Sequence, residues 1–217
     1  MDEDILNINI GFIERDKEKI YSSLLSYVCN NKKEIRFQKH PLGFKYFKLG
    51  KISSTEELRL HFWVGTHENQ DDDLQIHDHS FNFVSFVVFG SIKNTKFHSK
   101  YDLSSKGYIY DVKFRNEKSR LVMNSKQQLL ETISSETIAT GEFYSIESDE
   151  LHKSENLNEL TISLLKITKP KNKIARVFSP KELNALQTFE RTLILDEENS
   201  ELLNKLTEKI NDGKYCS

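Results

Sequence analysis

Apolar residues recur at helical spacing only towards the two ends of the chain. Between about Glu14 and Asn30, Ile20, Leu24, Leu25 and Val28 share one side, while Lys17, Lys19 and Ser23 occupy the other. This is the pattern of an amphipathic helix packed on something larger. Near the other end, Ser179-Pro180-Lys181-Glu182 has the composition of a capping box and predicts a helix running through Leu183, Leu186 and Phe189. A last helix is predicted from about Asn199 to Asn211, with Leu202, Leu203, Leu206 and Ile210 on one side and its end near Gly213.

From about residue 34 to 178 the pattern changes to short runs rich in β-branched and aromatic residues, separated by polar turns. Phe44 to Leu49, Leu58 to Val64, Phe81 to Phe89, Tyr108 to Phe114, Gly141 to Ile146 and Leu160 to Ile167 read as strands. Many short strands without helices between them predict an antiparallel sandwich or barrel rather than an alternating βαβ sheet. No repeat or long linker divides the 217 residues. The expected organisation is one structural domain with three segments: a helical segment at 1–33, a β region at 34–178 and C-terminal helices at 179–217.

Charge and cysteine usage narrow the function. The formal net charge of −2 leaves no basic field for a nucleic-acid backbone, so a nucleic-acid partner is not expected. Cys29 and Cys216 are too few for a disulfide framework and point to a reducing compartment. No stretch approaches the roughly 18 apolar residues of a membrane span, so no membrane partner is expected and the expected location is cytoplasmic. The lysines at 166, 169, 171 and 173 and Arg176 form a local basic run around Pro170, read as a solvated connector rather than a phosphate site.

The candidate chemistry begins at His77-Asp78-His79, at the start of a strand-like run. Side chains two apart on a strand point to the same face, so this pair can offer two imidazoles to one ion. The spacing around it resembles the cupin signature. His77, His79 and Gly90 fall on the two histidines and final glycine of the first cupin motif, Gly-x5-His-x-His-x3-Glu-x6-Gly, while Asp71 stands at the first glycine and Phe83 at the glutamate. Gly141, His152 and Asn156 match the second motif, Gly-x5-Pro-x-Gly-x2-His-x3-Asn, with Glu147 and Asp149 in place of its proline and second glycine.

The resemblance implies a mainly β fold, a cupin-like antiparallel β-barrel or jelly roll, with helices flanking it at the N- and C-terminus. The segment from Ser91 to Thr140 is expected to carry extra strands or a hairpin. It also implies a divalent metal held inside the barrel by His77, His79 and His152, and a homodimer. With Phe83 in place of the glutamate the ligand set is three neutral imidazoles, which leaves the metal's charge uncompensated and favours an anionic ligand in the open positions. Cupins of the thiol and diketone dioxygenase kinds share this arrangement, so the implied activity is a non-haem iron(II) oxygenase acting on a small anionic molecule.

Zinc, manganese and nickel are compatible with the same ligands. A zinc or other non-redox metal hydrolase, isomerase or lyase is the alternative enzyme, and a non-catalytic ligand-binding module the alternative outside catalysis. A carboxylate could rejoin the set from Asp71, Asp72, Asp73, Asp78, Glu147 or Asp149. Further candidates are Arg59, His98 and Tyr144. Arg59, His61 and Trp63 share one face of a strictly alternating run; if that face is the interior, Arg59 clamps a substrate carboxylate. The other reading, slightly preferred, sets Leu58, Leu60 and Phe62 towards the core and leaves Arg59 solvated. His98 is a candidate for the pocket wall, and Tyr144 for a proton donor or an outer partner of the metal ligands. His40, His61 and His67 have no partners at ligand spacing and read as structural or surface residues.

Overall fold

A computed structural model of the chain describes residues 2–65, 74–115, 118–170, 173–183 and 188–215. Two six-stranded antiparallel sheets are flanked by helices at both ends. The first sheet runs in the order β1 (Gln38–Lys39), β2 (Lys45–Lys51), β3 (Glu56–Val64), β10 (Leu160–Thr168), β4 (Asn82–Phe89) and β8 (Phe143–Ile146). The second has the order β11 (Arg176–Ser179), β6 (Gly107–Arg115), β7 (Lys118–Ala139), β5 (Ser91–Tyr101) and β9 (Leu151–Asn156), with β12 (Thr188–Glu190) also paired to β7. This is the mainly β, antiparallel architecture with flanking N- and C-terminal helices that the motifs imply. The segment after Ser91 supplies β5, β6 and the 22-residue β7, the extra strands expected there.

The first sheet is buried on both faces, which explains its nearly continuous apolar runs. Leu58, Leu60 and Phe62 on β3, Phe86 and Val88 on β4, and Ile162 and Leu164 on β10 pack against α1 (Glu3–Glu14), α2 (Lys17–Asn31) and α3 (Asp196–Tyr215). The alternate residues Phe83, Val87, Leu165 and Ile167 meet Ile92 and Ile138 of the second sheet, so the period of two sorts one strand between two cores. Tyr21 and Tyr27 donate their hydroxyls to the carbonyls of Val88 and Leu49, at 3.0 and 2.7 Å. Asn199 accepts from the Phe37 amide and donates to the Ile35 carbonyl, both at 2.9 Å, tying α3 to the chain that enters β1.

The helices differ from the sequence reading in three places. The helix read from about Glu14 to Asn30 is α2, capped by Asp16, and a further helix that the reading lacked, α1, precedes it and ends where Arg15 takes a left-handed conformation at φ 57°. The capping box at Ser179 makes no helix among the described residues, because Ser179 completes β11 and its hydroxyl bonds within the bend, donating to the Lys181 carbonyl at 2.7 Å. Leu183 then donates its amide to Tyr110, and Phe189 lies on β12. The last helix starts three residues before Asn199 and continues past Gly213 to Tyr215.

Gly90, the last glycine of the first motif, makes the turn from β4 to β5 at φ +83°, where an added Cβ would lie 2.6 Å from Thr161 Oγ1 and 2.7 Å from the Leu160 carbonyl. Gly65 has a similar φ of +84°, with no atom of the described residues within 4 Å of an added Cβ. We expect Gly90→Ala to cost about 2 kcal/mol or more and Gly65→Ala about 1 kcal/mol, the difference being the collision. Urea unfolding of both variants measures it; equal losses would show that backbone strain alone sets the cost.

Candidate metal centre

The geometry of the site rests on a short extended segment around His77, threaded between β9 and β11. His77 and His152 exchange both backbone hydrogen bonds, at 3.0 and 2.9 Å, and on the other side the Phe178 amide donates to Ile76 and the Asp78 amide to Arg176, at 2.8 and 2.9 Å. The second motif thus forms strand β9, which places His152 directly across from His77. Asp149, at the second motif's glycine position, keeps the left-handed backbone of a glycine at φ 77°, a conformation that Asp tolerates better than most residues.

His77, His79 and His152 converge, with one ring nitrogen of each within 4.8 Å of the others. Their ring centroids are 4.7 to 5.0 Å apart. His77 Nδ1 lies 2.8 Å from the Gln75 carbonyl and His152 Nδ1 lies 3.1 Å from the Glu150 carbonyl. A carbonyl only accepts, so Nδ1 carries the proton in both rings and Nε2 keeps its lone pair for a ligand. Burial holds His152 at about 3, His77 below the ordinary histidine range and His79 well below it; neighbouring imidazoles add to the effect at His79 and His152, while the hydrogen bond to the Gln75 carbonyl opposes it at His77. The three rings are therefore neutral at pH 7, the form that binds metal.

Asp78, between His77 and His79, points away from them. Its side chain is fully buried and accepts Arg176 Nε at 2.7 Å and Nη2 at 2.6 Å, together with the Arg176 backbone amide. Burial pushes the Asp78 carboxyl up and Arg176 pulls it back. Arg176, read from sequence as part of a solvated basic run, is thus the anchor of the ligand segment. Lys166, Lys169 and Lys173 of that run pair with Glu56, Glu57 and Asp149.

No carboxylate joins the three histidines among the described residues. Phe83 lies against the cluster, 5.3 Å from His79 and 6.2 Å from His152, and Phe81 stacks on His79 at 4.6 Å. Asp149 is held by Lys173, and Glu147 faces a surface cleft of about 310 Å³ that it shares with Phe12, Glu56, Asn82 and Lys166. Asp71, Asp72, Asp73 and His67 lie outside the described residues.

The other candidates separate. Tyr144 is buried beside Phe83, one ring removed from the histidines at 5.9 Å; burial pushes its phenol up, with Ser85 and Ser154 pulling the other way. His98 is exposed on β5, beyond Phe97, where β9 stops pairing, so it forms no part of a pocket wall. Arg59 is neither solvated nor a free clamp. Leu58, Leu60 and Phe62 face the helices, and Arg59 faces inward, where Glu57 takes both its Nε and its Nη2 and Phe81 lies under its guanidinium at 5.3 Å. Sequence reasoning passed over His40 and His61, half-buried rings that stack on Phe44 and act electrostatically on His79. The alternation of Arg59, His61 and Trp63 carried that signal for His61.

No family model and no curated protein matches the chain. Among solved structures it is similar to an RmlC-like cupin from Shewanella frigidimarina, at 14% identity over 64% of this chain and 88% of that one, with a TM-score of 0.36. It is similar to oxalate decarboxylase from Bacillus subtilis at 11% identity over 73% of this chain and 30% of that one, TM-score 0.37. A third is hydroxypropylphosphonic acid epoxidase from S. wedmorenis, at 14% identity over 63% and 56%, TM-score 0.36. The chain thus spans less than a third of the decarboxylase. No helix among the described residues is long and apolar enough to cross a membrane.

Two tests follow from this geometry. Asp78→Ala removes the acceptor of a partly exposed arginine and frees the ligand segment; we expect about 2 kcal/mol of lost stability and about tenfold weaker zinc uptake, measured by urea unfolding and zinc titration. Unchanged zinc affinity would show that backbone pairing alone holds the histidines. His61 is held at about 3 by burial, aided by Arg59, against 6.5 when unfolded. The unfolded chain then binds the extra proton, so His61's contribution is full above pH 6.5 and is lost as pH falls from there towards 3, by about 2 kcal/mol at pH 5. His61→Phe should flatten the fall in stability between pH 7 and 5 by that amount; parallel profiles would mean that His61 is charged in the folded protein.

Proposed function

We propose that this protein is a metal-dependent cupin enzyme, a non-haem iron(II) oxygenase that acts on a small molecule bearing an acidic group. The observation that supports it is the convergence of His77, His79 and His152, two of them with Nδ1 capped by a carbonyl, with Phe83 where a carboxylate ligand would sit. The donor set fits a divalent ion: three neutral imidazoles, held by backbone pairing, with open positions left for other ligands. Iron(II), when bound there, supplies the redox chemistry that dioxygen activation requires and a positive charge that draws an acidic group.

The chain's own residues do the rest. The Gln75 and Glu150 carbonyls fix the ring orientation of His77 and His152, and the Asp78–Arg176 pair fixes the segment that carries His77 and His79. Phe81 and Phe83 exclude water beside the histidines, which strengthens every electrostatic interaction there.

Protein purified without oxygen should hold close to one iron per chain, lose it in His152→Ala, and give a nitrosyl signal with nitric oxide in the wild type only. Turnover of a substrate should then consume dioxygen. Stoichiometric zinc, manganese or nickel with turnover independent of dioxygen would replace the oxygenase with Lewis-acid chemistry. Equal trace metal in both proteins would remove the metal site altogether.

A further inference from the structure

The three histidines occupy one part of the barrel interior. Beside them, on β2, β3 and the turn before β2, lies a second group of flat rings that takes no part in the ligand set. Phe44 is its centre. His40 stacks on Phe44 at 4.2 Å and 10°, His61 stacks at 4.6 Å and 27°, and Trp63 lies tilted at 4.5 Å. The two groups adjoin: His40 and His61 are near enough to His79 to weigh on its protonation, and Arg59, between His61 and Glu57 on β3, covers the Phe81 ring that stacks on His79. His40, Arg59, His61, His77, His79 and Phe81 are each partly exposed.

This second wall carries no free charge. Burial keeps the imidazoles of His40 and His61 neutral, with His61 at about 3. Glu57 accepts from Nε and Nη2 of Arg59, and Arg191, the other cation that acts on His40, donates to Ser119 at 3.1 Å. It does carry unspent hydrogen-bonding capacity. Trp63 Nε1 and Ser163 Oγ are buried with no partner among the described residues, in side chains 7% and 1% exposed. Ser163 pairs with His61 across β3 and β10, and Trp63 stands two residues further along β3, so both belong to the same face. An indole N–H can only donate, and leaving it buried without an acceptor costs about 1–3 kcal/mol. An acceptor oxygen arriving there would remove that cost.

We infer that this wall is a second subsite, which holds the planar, uncharged part of the substrate, an aromatic or heteroaromatic ring bearing a carbonyl or amide, with the oxygen accepting from Trp63 Nε1 and Ser163 Oγ. This deepens the proposed function and rests on it, since the acidic end of the same molecule is the end that faces the three histidines. A carboxylate at this wall would meet neutral rings and an arginine already engaged, and would lose its hydration without a partner.

Trp63 is the only tryptophan of the chain, so its emission reports on the subsite directly. The full chain, stripped of metal with EDTA, is titrated with benzamide, benzoate and cyclohexanecarboxamide. Benzamide should change the emission saturably. Benzoate, with a charge in place of the amide, and cyclohexanecarboxamide, with no flat face, should each bind about tenfold more weakly or less. Ser163→Ala should weaken benzamide about tenfold, the loss of one hydrogen bond, and Phe44→Leu, which removes the stacking ring and leaves both donors, should weaken it as well. No saturable response, equal binding of benzamide and benzoate, or indifference to both substitutions would overturn the subsite. Failure of the metal reading looks different: benzamide binds, yet no ion is taken up in a ratio that His152→Ala abolishes.

Discussion

The centre depends on one constraint, the insertion of the His77 segment as an extra rung between β9 and β11. Backbone bonds to His152 on one side and to Arg176 and Phe178 on the other fix the distance between two histidines that lie 75 residues apart in sequence. Side-chain alternation then does the sorting: His77 and His79 turn to the interior, and Asp78 turns to Arg176. A metal would find its ligands already placed, because the hydrogen bonds that place them belong to the fold and not to the ion. The carbonyls of Gln75 and Glu150 extend the same logic to the rings by holding the tautomer that leaves Nε2 free.

The barrel can hold so polar an interior because its apolar burial is done elsewhere as well. The outer face of the first sheet packs on α1, α2 and α3, a core that includes Ile8, Ile20, Leu24, Phe62, Phe86, Leu206 and Ile210, all almost fully buried. That face supplies hydrophobic stabilisation independent of the site. The inner face is then free to carry His61, Ser163, Arg59 and Glu57 next to Leu165 and Ile167. Buried histidines and orphaned donors destabilise the fold, and their retention in the interior fits a site rather than a packing solution.

Much of this was legible in the sequence. Strand positions followed from alternation and turn residues, since a sheet buried on one or both faces must repeat every two residues; β2, β3, β4, β6, β8 and β10 lie where the apolar runs fall. His77 and His79 were readable as a pair because spacing on a strand sets which way a side chain points, whereas His152 and the carboxylate-free Phe83 position were read from the resemblance to the cupin motifs. The last helix followed from its leucines, and α1 could have been read from Ile5, Ile8 and Phe12, which recur at helical spacing.

Other features were decided only by tertiary structure, because they depend on which elements become neighbours. Ser179 has the chemistry of a helix cap, but pairing of β11 with β6 claims its backbone for a strand. Arg59 reads as a substrate clamp or a solvated residue until Glu57 engages its guanidinium, and Arg176 reads as one of a run of surface charges until Asp78 is buried against it. His40 and His61 look isolated in sequence and become part of the interior through folding of β2 against β3. Local pattern determined the elements and the direction of each side chain. Long-range pairing determined what each side chain meets, since the energy of a charge, a donor or a ring is set by its neighbours in space.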